Sequence, residues 1–271
     1  MSTNAILMGR DAMLAQSLKL SVIGNNIANS NTVGFKSRSV IFSDREGFYV
    51  GPTWSNGLRA NLGRGVDITA GSANWQNGVI GATNVDTHIA ISGNGMLPVE
   101  LNGQTMYTRS GDFSMVETAS GSGTYYLMRP DGSLLMGGAL TGETVSLDGP
   151  VTFTGAPTAI RVGQNGLIEA DGATVTNGQI GLQRFVNPDA LTQVGMGVYQ
   201  TTDNAGIISD TPTAPGYEGC GEIIQGALEQ SNVDLVNEFS EMILCQRAFQ
   251  ANSRTITTAN EMLQEVLNIK R

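Results

Sequence analysis

The sequence predicts an α+β protein in which N- and C-terminal helices form a coiled-coil or helical tube domain, with a mainly antiparallel β domain inserted between them. Three observations lead there. Leu235, Met242, Phe249, Ile256 and Leu263 recur every seven residues near the C-terminus, a helical seam that needs a partner helix. Ile6, Met13, Leu20 and Ile27 repeat that spacing near the N-terminus. Between them lie short apolar runs punctuated by Asn-Gly and Asp-Gly pairs in a chain with 35 glycines, the pattern of antiparallel hairpins.

Residues 1–31 read as the N-terminal helix of the discontinuous tube domain. Leu7, Leu14, Leu18 and Ile23 widen its stripe, while Gly9 and Gly24 each weaken it by roughly 1 kcal/mol relative to alanine. Asn25, Asn26, Asn29, Asn31 and Thr32 then crowd together. Such side chains compete for backbone hydrogen bonds and favour helix ends. Gly34 marks the break and Phe35 an apolar anchor. Residues 32–84 are expected to be an extended linker region, with a short strand centred on Val40, Ile41 and Phe42. Beyond it Trp54 and Trp75 are expected to dock the Gly- and Asn-rich stretch onto a folded body.

Residues 85–225 read as a β-rich outer domain, a sandwich or rolled sheet. Hairpin signals stand at 77–78, 94–95, 102–103, 131–132, 148–149, 165–166, 171–172 and 177–178. Strand-like flanks include Ile89–Ile91, Thr124–Met128, Ala159–Val162 and Ile180–Phe185. Residues 226–271 are expected to supply the C-terminal helix, with Ser231 and Asp234 resembling a capping box. Four residues after each seam position comes a column of Phe239, Gln246, Ser253, Asn260 and Leu267, apolar at its ends and polar in the middle. A helix from Ser231 to Arg271 would reach roughly 60 Å at 1.5 Å per residue. Two seams of this kind are most simply buried by antiparallel pairing or in a bundle of several chains. The competing reading packs each on its own domain.

Chemistry-bearing residues are sparse. The net charge of −9 argues against nucleic acid or an anionic membrane as the main partner. His88 is the single histidine, and no G-x-S-x-G elbow supplies a nucleophile for it. Cys220 and Cys245 are too few and too far apart for a zinc-type ligand set and read as small unpaired apolar residues, with a structural disulfide between them as the alternative. Asp112, Glu117, Asp131, Asp148 and Asp171 sit mostly in turn contexts. No catalytic residue, cofactor or metal is expected, and no membrane span. The opening run also lacks the basic region, apolar core and cleavage site of a secretory signal. Export without a cleaved signal peptide is therefore the expectation.

The motifs resemble, in order and over almost the whole chain, the bacterial flagellar hook and basal-body rod family. Ile23–Lys36 is similar to its rod signature, carried by Asn25, Asn26, Asn29, Asn31, Thr32, Gly34 and Phe35. Gly63–Val66, Gln76–Gly78, Ile89–Gly95, Tyr107–Phe113, Phe185–Pro188, Gly226–Asp234 and Gln246–Phe249 continue the likeness. Met96–Leu97–Pro98 departs from it, standing where relatives carry an aromatic pair.

The resemblance implies a structural subunit that polymerises through its terminal helices. It implies export by the flagellar type III apparatus. Adjacent rod, hook-cap and hook–filament junction proteins would be its neighbours. The polar column would face the export channel, bond between subunits, or fix register. Within the family the closing stretch looks more like a short hook protein, which couples the rod to the filament and transmits torque in the extracellular hook. The alternative is a distal, periplasm-spanning rod protein. A remote alternative from another class is a secreted β-rich carbohydrate-active enzyme or adhesin.

Overall fold

The computed structural model describes residues 2–45, 48–50, 60–63, 65–118, 123–209 and 211–269. Trp54, Arg64 and the closing Lys270–Arg271 lie outside the described residues. The chain is a mixed α+β protein with a helix at each end and a mostly antiparallel β body. It divides into two compact units, one of Met1–Ala28, Ser37–Asn74 and Val233–Arg271, the other of Asn29–Lys36 and Trp75–Asn232.

The first unit is built on helix α1, Ser2–Ala28, and helix α2, Leu235–Ile269. They run antiparallel. Gly9 lies against Ile256, the Cys245 thiol donates to the Gln16 carbonyl oxygen at 3.2 Å, Lys19 pairs with Glu241, and Asn26 Nδ2 donates to Glu238 Oε1 at 2.8 Å. Four of the buried positions on the two helices are small, Gly9, Ala15, Cys245 and Ala259, beside the larger Ile23 and Asn26. A Cβ on Gly9 would come 2.7 Å from Ile256 Cγ1, so the glycine that weakens α1 locally also lets the helices approach. Gly9→Ala should therefore lower the melting temperature, although intrinsic propensity alone would raise stability by roughly 1 kcal/mol. Ile256→Ala should partly relieve that loss in a double-mutant cycle. A stabilised Gly9→Ala with no coupling would contradict this packing.

Within the single chain α2 buries two small side chains that lie beside its seam. Cys245 and Ala259, three residues after seam positions, are buried, whereas Gln246, Ser253 and Asn260, four after, are not on that buried face: Gln246 and Asn260 are exposed and Ser253 is exposed with them. Small side chains at the buried positions are what close approach requires. Met242, Ile256 and Leu263 are half-buried, and Leu235 and Phe249 are exposed. On α1, Ile6, Met13, Leu20 and Ile27 are half-buried or buried no further, and Ile23 and Asn26 are buried. The helix start also differs from the capping box expected at Ser231. Asp234 caps α2 itself, its Oδ1 accepting from the backbone N–H groups of Val236 at 3.0 Å and Asn237 at 3.3 Å.

Arg38–Asp44 pairs antiparallel with Val66–Ala73, with a register shift at Ile41/Phe42, and Phe48–Val50 pairs with Ala60–Leu62. Asn26 ties α1 to the first of these strands, its side chain accepting from Arg38 N at 3.0 Å and donating to Arg38 O at 2.8 Å. That use of an asparagine amide explains why one member of the Asn-rich run is buried inside the helix.

In the second unit the main sheet runs Thr174–Thr176, Thr152–Thr154, Thr124–Met128, Leu134–Gly137, Leu97–Leu101, Gln104–Thr108, Val198–Gln200, Thr192–Gly195, every neighbour antiparallel. Its core gathers Ile91, Leu97, Val99, Phe113, Leu127, Leu135, Phe153, Ile180 and Ile223. Asn102 and Gly103, at φ 54° and 77°, make the two-residue turn that matches strand twist. Asp131–Gly132 and Asn165–Gly166 also join paired strands. Asp171–Gly172 does not: the strands on either side pair with different partners. There the dipeptide supplies left-handed backbone, with Gly172 at φ 83°, without closing a hairpin. Ile180–Phe185 makes only isolated bridges, to residues such as Met96, Thr213 and Ile207. Glu222–Gln225 pairs with Ile89–Ser92, and Ala227–Glu229 with Ile80–Ala82.

Candidate functional site: a buried charge cluster and two exposed helical stripes

Gly34, Lys36, Gly78 and Arg109, drawn from separate motifs of the sequence, converge in the second unit on Glu229. Asn29 and Thr32 form a turn after α1, with Thr32 N donating to Asn29 O at 3.1 Å and Phe35 N to Thr32 O at 3.3 Å. Asn31 and Thr32 are exposed. Gly34 has φ +67°, and a Cβ there would lie 2.9 Å from Ser110 N. Its own N–H donates to Glu229 O at 2.8 Å. Both the left-handed conformation and the close approach exclude a side chain. Gly34→Ala should destabilise the β unit by at least about 1–3 kcal/mol, read as a lower urea midpoint; an unchanged midpoint would contradict the role given to this turn.

The turn delivers Lys36 into the interior. Its side chain is 2% exposed, that of Glu229 1% and that of Arg109 5%. Lys36 Nζ donates to Glu229 Oε1 at 2.7 Å and to Gln76 O at 2.8 Å. Arg109 Nε donates to Glu229 Oε2 at 2.6 Å, and Gly78 N to Oε1 at 2.8 Å. Arg109 spends its remaining donors on Asn77 Oδ1 at 2.6 Å and on the carbonyls of Gly93 and Gly95. Asn232 Nδ2 donates to Gln76 O at 3.0 Å. Thus the segments 29–36, 76–78 and 229–232 are bound to the β body through a single charge cluster.

Its electrostatics are structural. Burial alone would push the Glu229 carboxyl up, but Arg109, Lys36 and the Gly78 N–H together outweigh it and hold the group below the usual carboxylate range. Burial pushes the Lys36 ammonium below the ordinary lysine value, with Glu229 opposing. Among the described residues, no buried side-chain nitrogen or oxygen lacks a hydrogen-bond partner. Buried ion pairs of this sort contribute little net stability against an apolar replacement, yet removing one partner is costly. Sequence reasoning missed Lys36, Arg109 and Glu229 as a site because they stand inside three separate motifs. The available signal was a charge placed among glycines and apolar residues in a chain only 14% charged. His88 is likewise structural, its Nδ1 2.9 Å from Thr83 Oγ1.

The second feature is apolar surface on the helix pair. Leu7, Leu14 and Leu18 are exposed on α1, and Val236, Phe239, Ile243, Leu244, Leu267 and Ile269 on α2. Clusters of exposed large apolar side chains mark interaction surfaces. No helix of the described residues is long and apolar enough to cross a membrane.

Two family profiles match the chain. "Flagella basal body rod protein" covers residues 6–36, and "Flagellar basal body rod FlgEFG protein C-terminal" covers residues 224–269. The chain is 35% identical to the flagellar basal-body rod protein FlgG of Bacillus subtilis, over 93% of this chain and 94% of that protein. It is 32% identical to FlgG of Caulobacter vibrioides, over 98% and 99% respectively. To the flagellar hook protein FlgE of Borreliella burgdorferi it is 40% identical, but over 112 residues, 40% of this chain and 25% of that protein.

Proposed function

The chain belongs to the flagellar basal-body rod and hook family and is a structural subunit of the flagellar axial structure, not an enzyme; from that premise we propose that it is a distal-rod protein. The observation that carries this reading is the end-to-end likeness to rod proteins, against a likeness to a hook protein confined to two fifths of the chain. The closing-helix motifs that favoured the hook cannot discriminate, because hook and rod proteins share that helix, as the description of the C-terminal family profile itself indicates.

In this reading α1 and α2 pack in the polymer against the same helices of neighbouring subunits, forming the supercoiled tube. Their exposed stripes and the seam residues Leu235 and Phe249 are buried there, where a head-to-tail contact that does not close generates an open helical filament. Gln246, Ser253 and Asn260, exposed in the single chain, face the export channel or bond between subunits. Other axial proteins cap the two ends of the array, and the type III apparatus delivers the chain. An epitope-tagged copy labelled with gold in isolated hook–basal bodies should mark the straight rod. Label along the curved hook would overturn the assignment.

A further inference from the structure

Charge is divided unevenly between the two units. Of the 24 acidic and 15 basic residues of the chain, 15 acidic and five basic ones fall in the β unit. The unit of α1 and α2 holds nine acidic and ten basic residues. The whole net charge of −9 therefore belongs to the β unit, and the helical unit is close to neutral.

Burial sharpens the division at the surface. Three of the five cations of the β unit, Lys36, Arg109 and Arg129, are buried. Each is committed to carboxylates there: Lys36 and Arg109 to Glu229, and Arg129 to Asp112 at 2.9 Å and Asp131 at 2.8 Å. Arg184 donates to the Glu218 carbonyl oxygen, and Arg161 stands opposite Glu169 across an antiparallel strand pair. The acids are placed the other way. Among the described residues of this unit nine carboxylate side chains are exposed, Asp86, Glu143, Asp203 and Glu222 among them, whereas Arg161 is the one exposed cation. Those four carboxylates make no side-chain hydrogen bond or ion pair among the described residues. The fold draws positive charge inward and leaves negative charge outside.

A surface of one sign repels a second copy of itself and keeps a protein monomeric. At about 0.01 M ionic strength that repulsion reaches about 30 Å, the diameter of a small domain, so the unit repels as a whole; at about 0.15 M the reach falls to about 8 Å. The exposed apolar side chains act in the opposite sense. Leu7, Leu14 and Leu18 on α1 and Val236, Phe239 and Ile243 on α2 belong to the unit that carries almost no net charge, where nothing long-ranged opposes their contact. Attraction and repulsion between copies are built into different parts of one chain.

We propose that the carboxylate surface of the β unit is a brake on self-association: it holds free copies apart at low ionic strength against the pull of the helical stripes, and salt releases it. This rests on the chain being a polymerising axial subunit, though not on the choice between rod and hook. Light scattering by the purified full chain tests it, through the sign and size of the interaction between copies. Net repulsion at about 0.01 M sodium chloride and net attraction at about 0.15 M are the expected results. Asp86→Asn, Glu143→Gln, Asp203→Asn and Glu222→Gln together remove four of the nine net negative charges. Because repulsion scales with the product of the two charges, it should fall to about a third at low salt, with the attraction at higher salt unchanged. Leu14→Asn with Leu18→Asn should do the reverse, keeping the low-salt repulsion and losing the attraction. Wild-type attraction at low salt, repulsion at both salt concentrations, or low-salt repulsion that the four amides leave unchanged would overturn the brake. Absence of the chain from isolated basal bodies is a separate result, and it would sink the axial reading and the brake with it.

Discussion

Glu229→Ala should destabilise the β unit by about 3–5 kcal/mol, a large share of the about 5–15 kcal/mol available to a typical domain. The substitution leaves Lys36 and Arg109, 2% and 5% exposed, without their counter-charge in an environment where isolated ions are severely penalised. It also removes the acceptor of Gly78 N–H. The segments 29–36 and 76–78 would lose their common anchor, so protease sensitivity should rise first there. The measurement is a urea unfolding curve, and a midpoint within error of wild type would contradict the cluster's role. Lys36→Met should cost less, because the Glu229–Arg109 pair survives it.

The same cluster fixes the sign of an acid effect. The folded Glu229 carboxyl is held below its unfolded value by Arg109, Lys36 and Gly78, against burial. Its contribution is then fully present above the unfolded pKa of roughly 4.3 and is lost as pH falls through the lower folded value. Glu229→Gln should therefore flatten the acid limb of the stability profile.

Leu14→Lys combined with Leu18→Lys should abolish assembly and motility while changing monomer stability by no more than about 0.5 kcal/mol per site, as is usual for surface positions. Both side chains are exposed in the single chain, Leu14 by 62%. Burying a leucine against a neighbour is worth about 1.5–3 kcal/mol, and every 1.4 kcal/mol is tenfold in an equilibrium constant. Two lost per subunit, with charges introduced, removes the polymer. Thermal melting of the purified chain and microscopy of basal bodies read the two halves of this prediction. Motile cells with complete rods would contradict the use given to the stripe.

Much of this architecture was legible from residue spacing, and the losses have physical causes. Sevenfold recurrence located both helices because a helix that buries one face leaves an apolar stripe at its own period. It did not mark Cys245 and Ala259, the side chains that α2 buries within the single chain, because hydropathy patterning looks for large residues. Most Asn-Gly and Asp-Gly pairs reported left-handed backbone, though not Asn77–Gly78, and Gly172 shows that such backbone also serves changes of strand partner. The charge cluster was invisible to any local pattern, since Lys36 and Glu229 lie 193 residues apart in the chain. Rod and hook proteins share the helices that sequence motifs emphasise, so the distinction waited for likeness over the whole chain.

The central claim, that this subunit builds the distal rod, is tested most directly by electron microscopy of basal bodies from a strain lacking its gene. The account predicts basal bodies whose rods stop short, with no hook attached. Complete rods that merely lack a hook would contradict it.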